Sequence, residues 1–366
     1  MMKVVIAIDS FKGSLSSLQA GEAAAEGIHR VKPEAETVVR TLADGGEGTV
    51  QALTEGLGGR FVSVPVTGPT GKTVLCQYGV IEQTHTAVIE MSGAAGITLV
   101  SGAERNPLYT TTYGVGEVIR DAVLRGCRHF IVGIGGSATN DGGIGMLQAL
   151  GYRFLDADGR EISYGAEGVS HLADIRWEKR MPELADCTFR VACDVKNPLT
   201  GEQGCSAVFA PQKGADVQMI PLLEQAMEHY ADIVEQKLQP FTERNMIGHD
   251  RYTPGSGAAG GLGFAFLTFT NAVLESGIKI VLEETQLEEY IKDADLVVTG
   301  EGRMDRQTAM GKAPIGVAKL AKKYGKPVIA FAGSVERDAR ECNEHGIDAF
   351  FPILRGITML EEAMKY

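Results

Sequence analysis

Short apolar runs that stop on polar or glycine-rich turns, each followed by apolar residues at helical spacing, recur along this chain. That rhythm predicts strand–turn–helix units, because a buried parallel strand is apolar on both faces and its crossover helix on one. Residues 3–9 form such a run. Ser16-Ser17-Leu18-Gln19 then fits a capping box with Ser16 as the cap, and the spacing predicts a helix to about Val31, ahead of Pro33. Thr37-Val38-Val39-Arg40 predicts a second strand, which leads through a glycine turn into a helix ending near Leu53. From Phe61 the pattern changes, and residues 61–66, 73–81 and 87–90 read as β segments joined by turns. Asn106-Pro107 predicts a helix start, with Val115, Val118, Ile119, Ala122 and Val123 as its apolar face and Gly126 as its stop. Residues 129–132, 154–160 and 188–193 predict strands, the second of them closed by an Asp-Gly turn, and residues 219–238 an amphipathic helix. Strand, helix and strands return at 294–299, 313–324, 327–332 and 349–353, and Met359 to Tyr366 opens a helix with no C-cap, so the chain is expected to continue.

Both ends therefore alternate strand and helix while the middle differs. The expectation is an α/β protein in which a doubly wound parallel-sheet domain is built from both termini, residues 1–62 and 286–366. A larger α/β domain, residues 63–285, is inserted between them, and the active site is expected in the cleft between the two.

The turns carry the candidate chemistry. The chain has 46 glycines in 366 residues, well above an average share of about 7%, and they gather where strands end. Glycine lets backbone N–H groups approach an anion, and a following helix N-terminus adds partial positive charge. On this ground Gly135, Gly136, Ser137, Thr139 and Asn140, in the turn after residues 129–132, are candidate phosphate or nucleotide ligands, with Gly257 and Gly260 in the run from 254 to 263. Asp9, Ser10, Lys12 and Ser14 follow the first strand, where open α/β sheets bind ligands. Lysines, carboxylates and glycine turns together point to phosphate with a divalent metal, and phosphoryl transfer needs positioning and charge neutralisation above all. Lys12, Asp44 and Asp194 are accordingly the candidate catalytic residues. Ser10, Ser14, Lys196 and Arg303 are the candidate substrate ligands, and Asp44, Glu47 and Glu301 the candidate Mg²⁺ ligands. Gly68-Pro69-Thr70-Gly71-Lys72-Thr73 resembles the tail of a Walker A loop, but the earlier glycine is missing and a β-like stretch succeeds it, so a hairpin turn is expected.

Composition narrows the partners. A formal net charge of -12 argues against nucleic acid or an anionic membrane. Six cysteines without a C-x-x-C pair and seven histidines without ligand spacing argue against a disulfide framework or a zinc site. The N-terminus lacks a signal-peptide cleavage pattern and no apolar run is long enough to span a bilayer, so a cytoplasmic protein is expected.

Five stretches now stand together: Asp9-Ser10-Phe11-Lys12-Gly13-Ser14, residues 43–49, residues 133–143, residues 254–263 and Thr299-Gly300-Glu301-Gly302-Arg303-Met304-Asp305. In this order they resemble the motifs of the type I bacterial glycerate kinase family, and the resemblance covers essentially the whole chain. It implies ATP-dependent phosphorylation of D-glycerate, usually to 2-phosphoglycerate, in glyoxylate, glycolate or aldarate breakdown, with 3-phosphoglycerate as the alternative product. It also implies a flavodoxin-like domain carrying an inserted second domain. Two rival readings stand beside it. One is a dinucleotide-dependent oxidoreductase, since Gly133-Ile134-Gly135-Gly136-Ser137-Ala138 fits G-x-G-x-x-A with Asp156 and Asp158 about 20 residues on. The other is a binding or regulatory protein on a kinase-like scaffold.

Overall fold

A computed structural model describes residues 1–238, 251–354, 356 and 358–364. In chain order its strands are β1 (Lys3–Ile8), β2 (Glu36–Val39), β3 (Arg60–Thr67), β4 (Thr73–Ile81), β5 (Thr86–Glu90), β6 (His129–Gly133), β7 (Arg153–Leu155), β8 (Asp174–Arg176), β9 (Thr188–Ala192), β10 (Ala272–Glu275), β11 (Leu296–Met304), β12 (Val328–Val335) and β13 (Ala349–Pro352). The chain divides into a terminal unit, residues 1–60 with 276–366, and an inserted unit, residues 61–275. The return point is ten residues earlier than the expected 286 because the helix Gly277–Glu284 packs on the helix Ala313–Lys323 of the terminal unit. Gly277 also lies so close to the Asp44 backbone that a Cβ there would sit 2.0 Å from the Asp44 carbonyl oxygen.

The terminal unit is a five-stranded sheet in the order β2-β1-β11-β12-β13, parallel throughout. Counted within the unit this is the 2-1-3-4-5 order of flavodoxin-like sheets, with its switch point between β1 and β11. Central β1 is apolar on both faces, and Val4 to Ile8 are at most 2% exposed. The predicted helix forms as Ser17–Val31, with Ser16 and Gln19 closing the capping box. Ser17 then ties two strand ends together, its hydroxyl donating to the Ile8 carbonyl at 2.6 Å and accepting from the Leu42 amide at 2.7 Å. The helix expected from Met359 is present as Leu360–Ala363. Lys365 and Tyr366 lie outside the described residues.

The inserted unit holds a six-stranded mixed sheet, β10-β9-β6-β5-β4-β3. Strands β5, β6, β9 and β10 run parallel, and their register brings Glu90, Gly133, Ala192 and Glu275 to one edge. β4 runs antiparallel to β5. Its core includes Phe130 stacked on Phe189 with centroids 4.7 Å apart. The stretch from Gly68 is the expected turn between β3 and β4, closed by Gly68 N–H to the Lys72 carbonyl at 2.7 Å, and Lys72 pairs with Glu104 at 2.8 Å. One helix start differs. Asn106 accepts the Leu108 amide at 3.1 Å in a turn, and the helix begins only at Tyr113, running to Leu124. Among the described residues no helix is long and apolar enough to cross a membrane.

Candidate active site

In the terminal unit the chain leaving β1, the loop after β2 and the end of β11 converge on a pocket of about 470 Å³, beyond the carboxyl ends of the strands at the switch point. Ser10, Lys12, Ser14, Asp44, Glu301 and Arg303 all line it, joined by Asp9 and Lys312. Asp9 ends the central strand and is 6% exposed. Its Oδ1 accepts the Ser10 amide at 2.7 Å. Burial first, then the neighbouring Asp44 and Glu301 charges, push its pKa up to about 7 against the opposing pull of the Ser10 N–H and Lys12. Glu301, 7% exposed, accepts the Thr308 hydroxyl, and burial raises its pKa as well, with Lys312 opposing. Asp44 Oδ1 accepts the Gly46 amide at 3.0 Å, so it shapes the glycine turn. It does not cap the helix Thr49–Gly56, whose cap is Gly48 at φ 96°. The Arg303 guanidinium lies 3.5 Å from Asp305 and 3.3 Å from Glu336.

Glu47 is exposed and does not line the pocket, and among the described residues no three His, Cys, Asp or Glu side chains gather as a metal centre. An Asp44–Glu47–Glu301 cage is therefore not formed. Asp44 and Glu301 still fit Mg²⁺, a hard cation that takes one or two protein carboxylates and keeps several waters. Sequence reasoning left Lys312 out and gave Asp9 no role. Asp9 was legible as the first polar residue after an apolar strand. Lys312 had only a weak signal, a lysine just before the Ala313-Pro314 helix start.

The inserted unit treats its two glycine runs differently. Gly135 and Gly136 are exposed, Ser137 is nearly buried, and Thr139 and Asn140 are wholly buried. The next helix is short, Ile144–Ala149, and its first amides are already taken. Asp141 Oδ1 accepts Gly143 N–H at 3.1 Å, while Oδ2 accepts the Gly145 amide at 3.3 Å and the Thr112 amide and hydroxyl at 2.7 and 2.8 Å. The anion expected at this helix N-terminus is thus the chain's own carboxylate, whose pKa burial raises. Gly257 and Gly260 are buried too. A Cβ on Gly260 would sit 2.1 Å from the Thr139 carbonyl oxygen, and the Gly142 amide donates to the Gly260 carbonyl at 2.9 Å. The second glycine run is therefore the bed on which the first one lies, and the faces open to a ligand are those of Gly135 and Gly136, with Ser137 beside them. Asp194 and Lys196 are exposed just past β9, at the sheet edge where Gly133 and Ala192 stand in register. Asp156 and Asp158 are committed to their own turn, Asp156 Oδ1 accepting the Asp158 and Arg160 amides at 2.9 Å and the Arg160 guanidinium engaging both carboxylates. Neither resembles the open acid that a dinucleotide ribose requires.

A family model described as the glycerate kinase family matches residues 4–366. A Bacillus subtilis glycerate kinase is 50% identical over 365 residues, all of this chain and 94% of that protein. An Escherichia coli K12 protein named glycerate 2-kinase is 47% identical over 364 residues, all of this chain and 93% of that protein. A crystal structure from Salmonella typhimurium LT2, designated glycerate kinase 2, superposes with a TM-score of 0.90 at 48% identity, covering all of this chain and 93% of that one.

Proposed function

Because the chain belongs to the glycerate kinase family, we propose that it transfers the γ-phosphoryl group of ATP to the 2-hydroxyl of D-glycerate, giving 2-phosphoglycerate and ADP in the cytoplasm. The observation that carries the acceptor half is the terminal pocket, where cations and a carboxyl poised near neutrality line one cavity. A small hydroxy acid needs both. Its carboxylate suits the fork of Arg303 with Lys12 or Lys312, and its hydroxyls suit Ser10 and Ser14. Asp9, backed by Asp44, is placed to accept the hydroxyl proton as the new O–P bond forms and the β–γ bridging bond breaks. In the metal-free pocket burial and the Asp44 and Glu301 charges hold this carboxyl near neutrality, and it can take that proton late in a loose transition state.

For the donor, Gly135, Gly136 and Ser137 offer backbone and hydroxyl groups to phosphate oxygens, Lys196 adds a point charge, and Asp194 completes the polar edge. Thr139, Asn140, Gly257 and Gly260 support that loop from inside. Bound Mg²⁺ would neutralise phosphate charge, with Asp44 and Glu301 as its protein ligands.

The test is ³¹P NMR after incubation with ATP, Mg²⁺ and D-glycerate. A 2-phosphoglycerate resonance growing in step with ADP is expected. A 3-phosphoglycerate resonance would move the transfer to the other hydroxyl, and ADP release indifferent to glycerate would refute the reaction.

A further inference from the structure

The inserted unit contains a buried cation that the proposed chemistry does not use. Lys213 closes a short turn, Pro211–Lys213, and is 2% exposed. Its Nζ donates to the Thr139 carbonyl at 2.6 Å. Burial pulls its pKa down to about 8, while the Cys205 thiol and the Asp141 carboxyl act the other way. An ammonium held out of water costs several kcal/mol, and an uncharged side chain of the same length would fill the space without that penalty. The charge therefore calls for a reason beyond packing.

Its position supplies one. The stretch from Thr139 to Gly142 is gripped on one side by Lys213 and lies on the other against Gly260 and Gly261, which together with Ala259 turn through left-handed backbone at φ 67°, 92° and 53° respectively. Gly135 and Gly136, a few residues upstream, are the exposed part of the same loop. A cation bonded to this stretch and shut away from solvent is poorly screened, and it acts on the Thr139 carbonyl and the Asp141 carboxyl beside it.

Taking the donor phosphates to lie on Gly135–Ser137, as proposed above, we infer that Lys213 is a positioning residue for the nucleotide: its ammonium fixes the Thr139 carbonyl and, through it, the set of the phosphate loop just upstream. It touches no substrate atom itself.

The measurement is calorimetric titration of ADP and Mg²⁺-ATP into wild-type protein and Lys213→Met, together with thermal melts and both KM values. Methionine removes the buried charge at nearly constant length but leaves the Thr139 carbonyl without its donor, so a modest fall in melting temperature is expected on either reading and the nucleotide measurements decide. Nucleotide affinity is expected to fall about tenfold while the KM for glycerate stays within twofold. A purely structural lysine predicts both KM values disturbed to a similar extent. That result, or nucleotide affinity within twofold of wild type, overturns the inference. If Lys213→Met does not fold, Lys213→Gln serves under the same thresholds. ADP titration needs no turnover, so a wild-type protein that binds ADP yet makes no phosphoglycerate refutes the proposed reaction and leaves this inference to its own test.

Discussion

Replacing Asp9 by asparagine tests the acceptor pocket most directly, because it sets stability and activity against each other. The folded protein raises this carboxyl from 3.8 to about 7, a differential of roughly 4 kcal/mol at 1.36 kcal/mol per unit. The sign follows from proton binding. Between about pH 4 and 7 the folded state holds a proton that the unfolded state has lost, so the stability contributed by the neutral carboxyl is complete below about pH 4 and gone above about pH 7. The Asp9→Asn side chain is neutral at every pH and keeps an oxygen for the Ser10 amide, now 2.7 Å from Asp9 Oδ1. At pH 8 the variant is expected to exceed wild type by up to about 4 kcal/mol, which for units of this size is on the order of 10 °C in melting temperature. At pH 4 the two should melt together. Over the same range kcat is expected to fall by about 10² to 10⁴, the usual worth of a positioned base. Melting curves at pH 4, 6 and 8 with a coupled ADP-release assay supply both readings. An asparagine variant no more stable than wild type at pH 8, or one that turns over normally, refutes the reasoning.

Five further outcomes are expected from the same geometry. Asp44→Asn should cut kcat strongly and move the acid limb of the kcat/KM profile to lower pH, because the Asp44 charge is one cause of the high Asp9 pKa; a limb that stays put contradicts the coupling. Asp194→Asn should lower kcat while circular dichroism shows an intact fold, and near wild-type turnover removes that residue from the chemistry. Lys12→Ala should raise the KM for glycerate several-fold, measured at saturating ATP, and an unchanged constant removes Lys12 from the acceptor site. Ala259→Gly relieves a non-glycine residue held at φ 53° and should stabilise the protein by about 1 kcal/mol, whereas Gly260→Ala would drive a methyl to 2.1 Å from the Thr139 carbonyl and should cost several kcal/mol; calorimetric melts decide both.

Signals in the sequence were legible where their cause was local. The Ser16–Gln19 capping box depends on neighbours three residues apart, and it forms as expected. The Walker-like stretch could be rejected because Val66 stands where the loop needs glycine and the residues after Lys72 are β-like. Long-range causes stayed hidden. The Asn106-Pro107 pair satisfies every rule for a helix start, yet Asp141, 29 residues away from Thr112, captures that threonine and sets the helix to begin beside it. The same carboxylate fills the helix N-terminus that the glycine turn, taken alone, offers to phosphate. The run from 254 to 263 reads equally well as a ligand loop or as glycines that let two elements pack closely, since glycine looks alike in composition in both, and only the structure shows that it beds residues 139–142. The convergence of Ser10, Lys12, Ser14, Asp44, Glu301 and Arg303 was legible from one rule, that ligands gather beyond the carboxyl ends of strands in an open parallel sheet.

The pairing of β1 with β11 joins Val4 to Leu296 and Ile8 to Gly300, and this has a bearing on biosynthesis. At roughly 5–20 residues per second on the ribosome, the first strand waits tens of seconds for its neighbour. The inserted unit is contiguous in the chain and can close during that interval. The nascent amino-terminal segment can pair β1 with β2, but the edge of that apolar strand meant for β11 stays open throughout. Newly made chains should therefore bind hydrophobic-segment chaperones at their first residues until residues 296–304 have emerged.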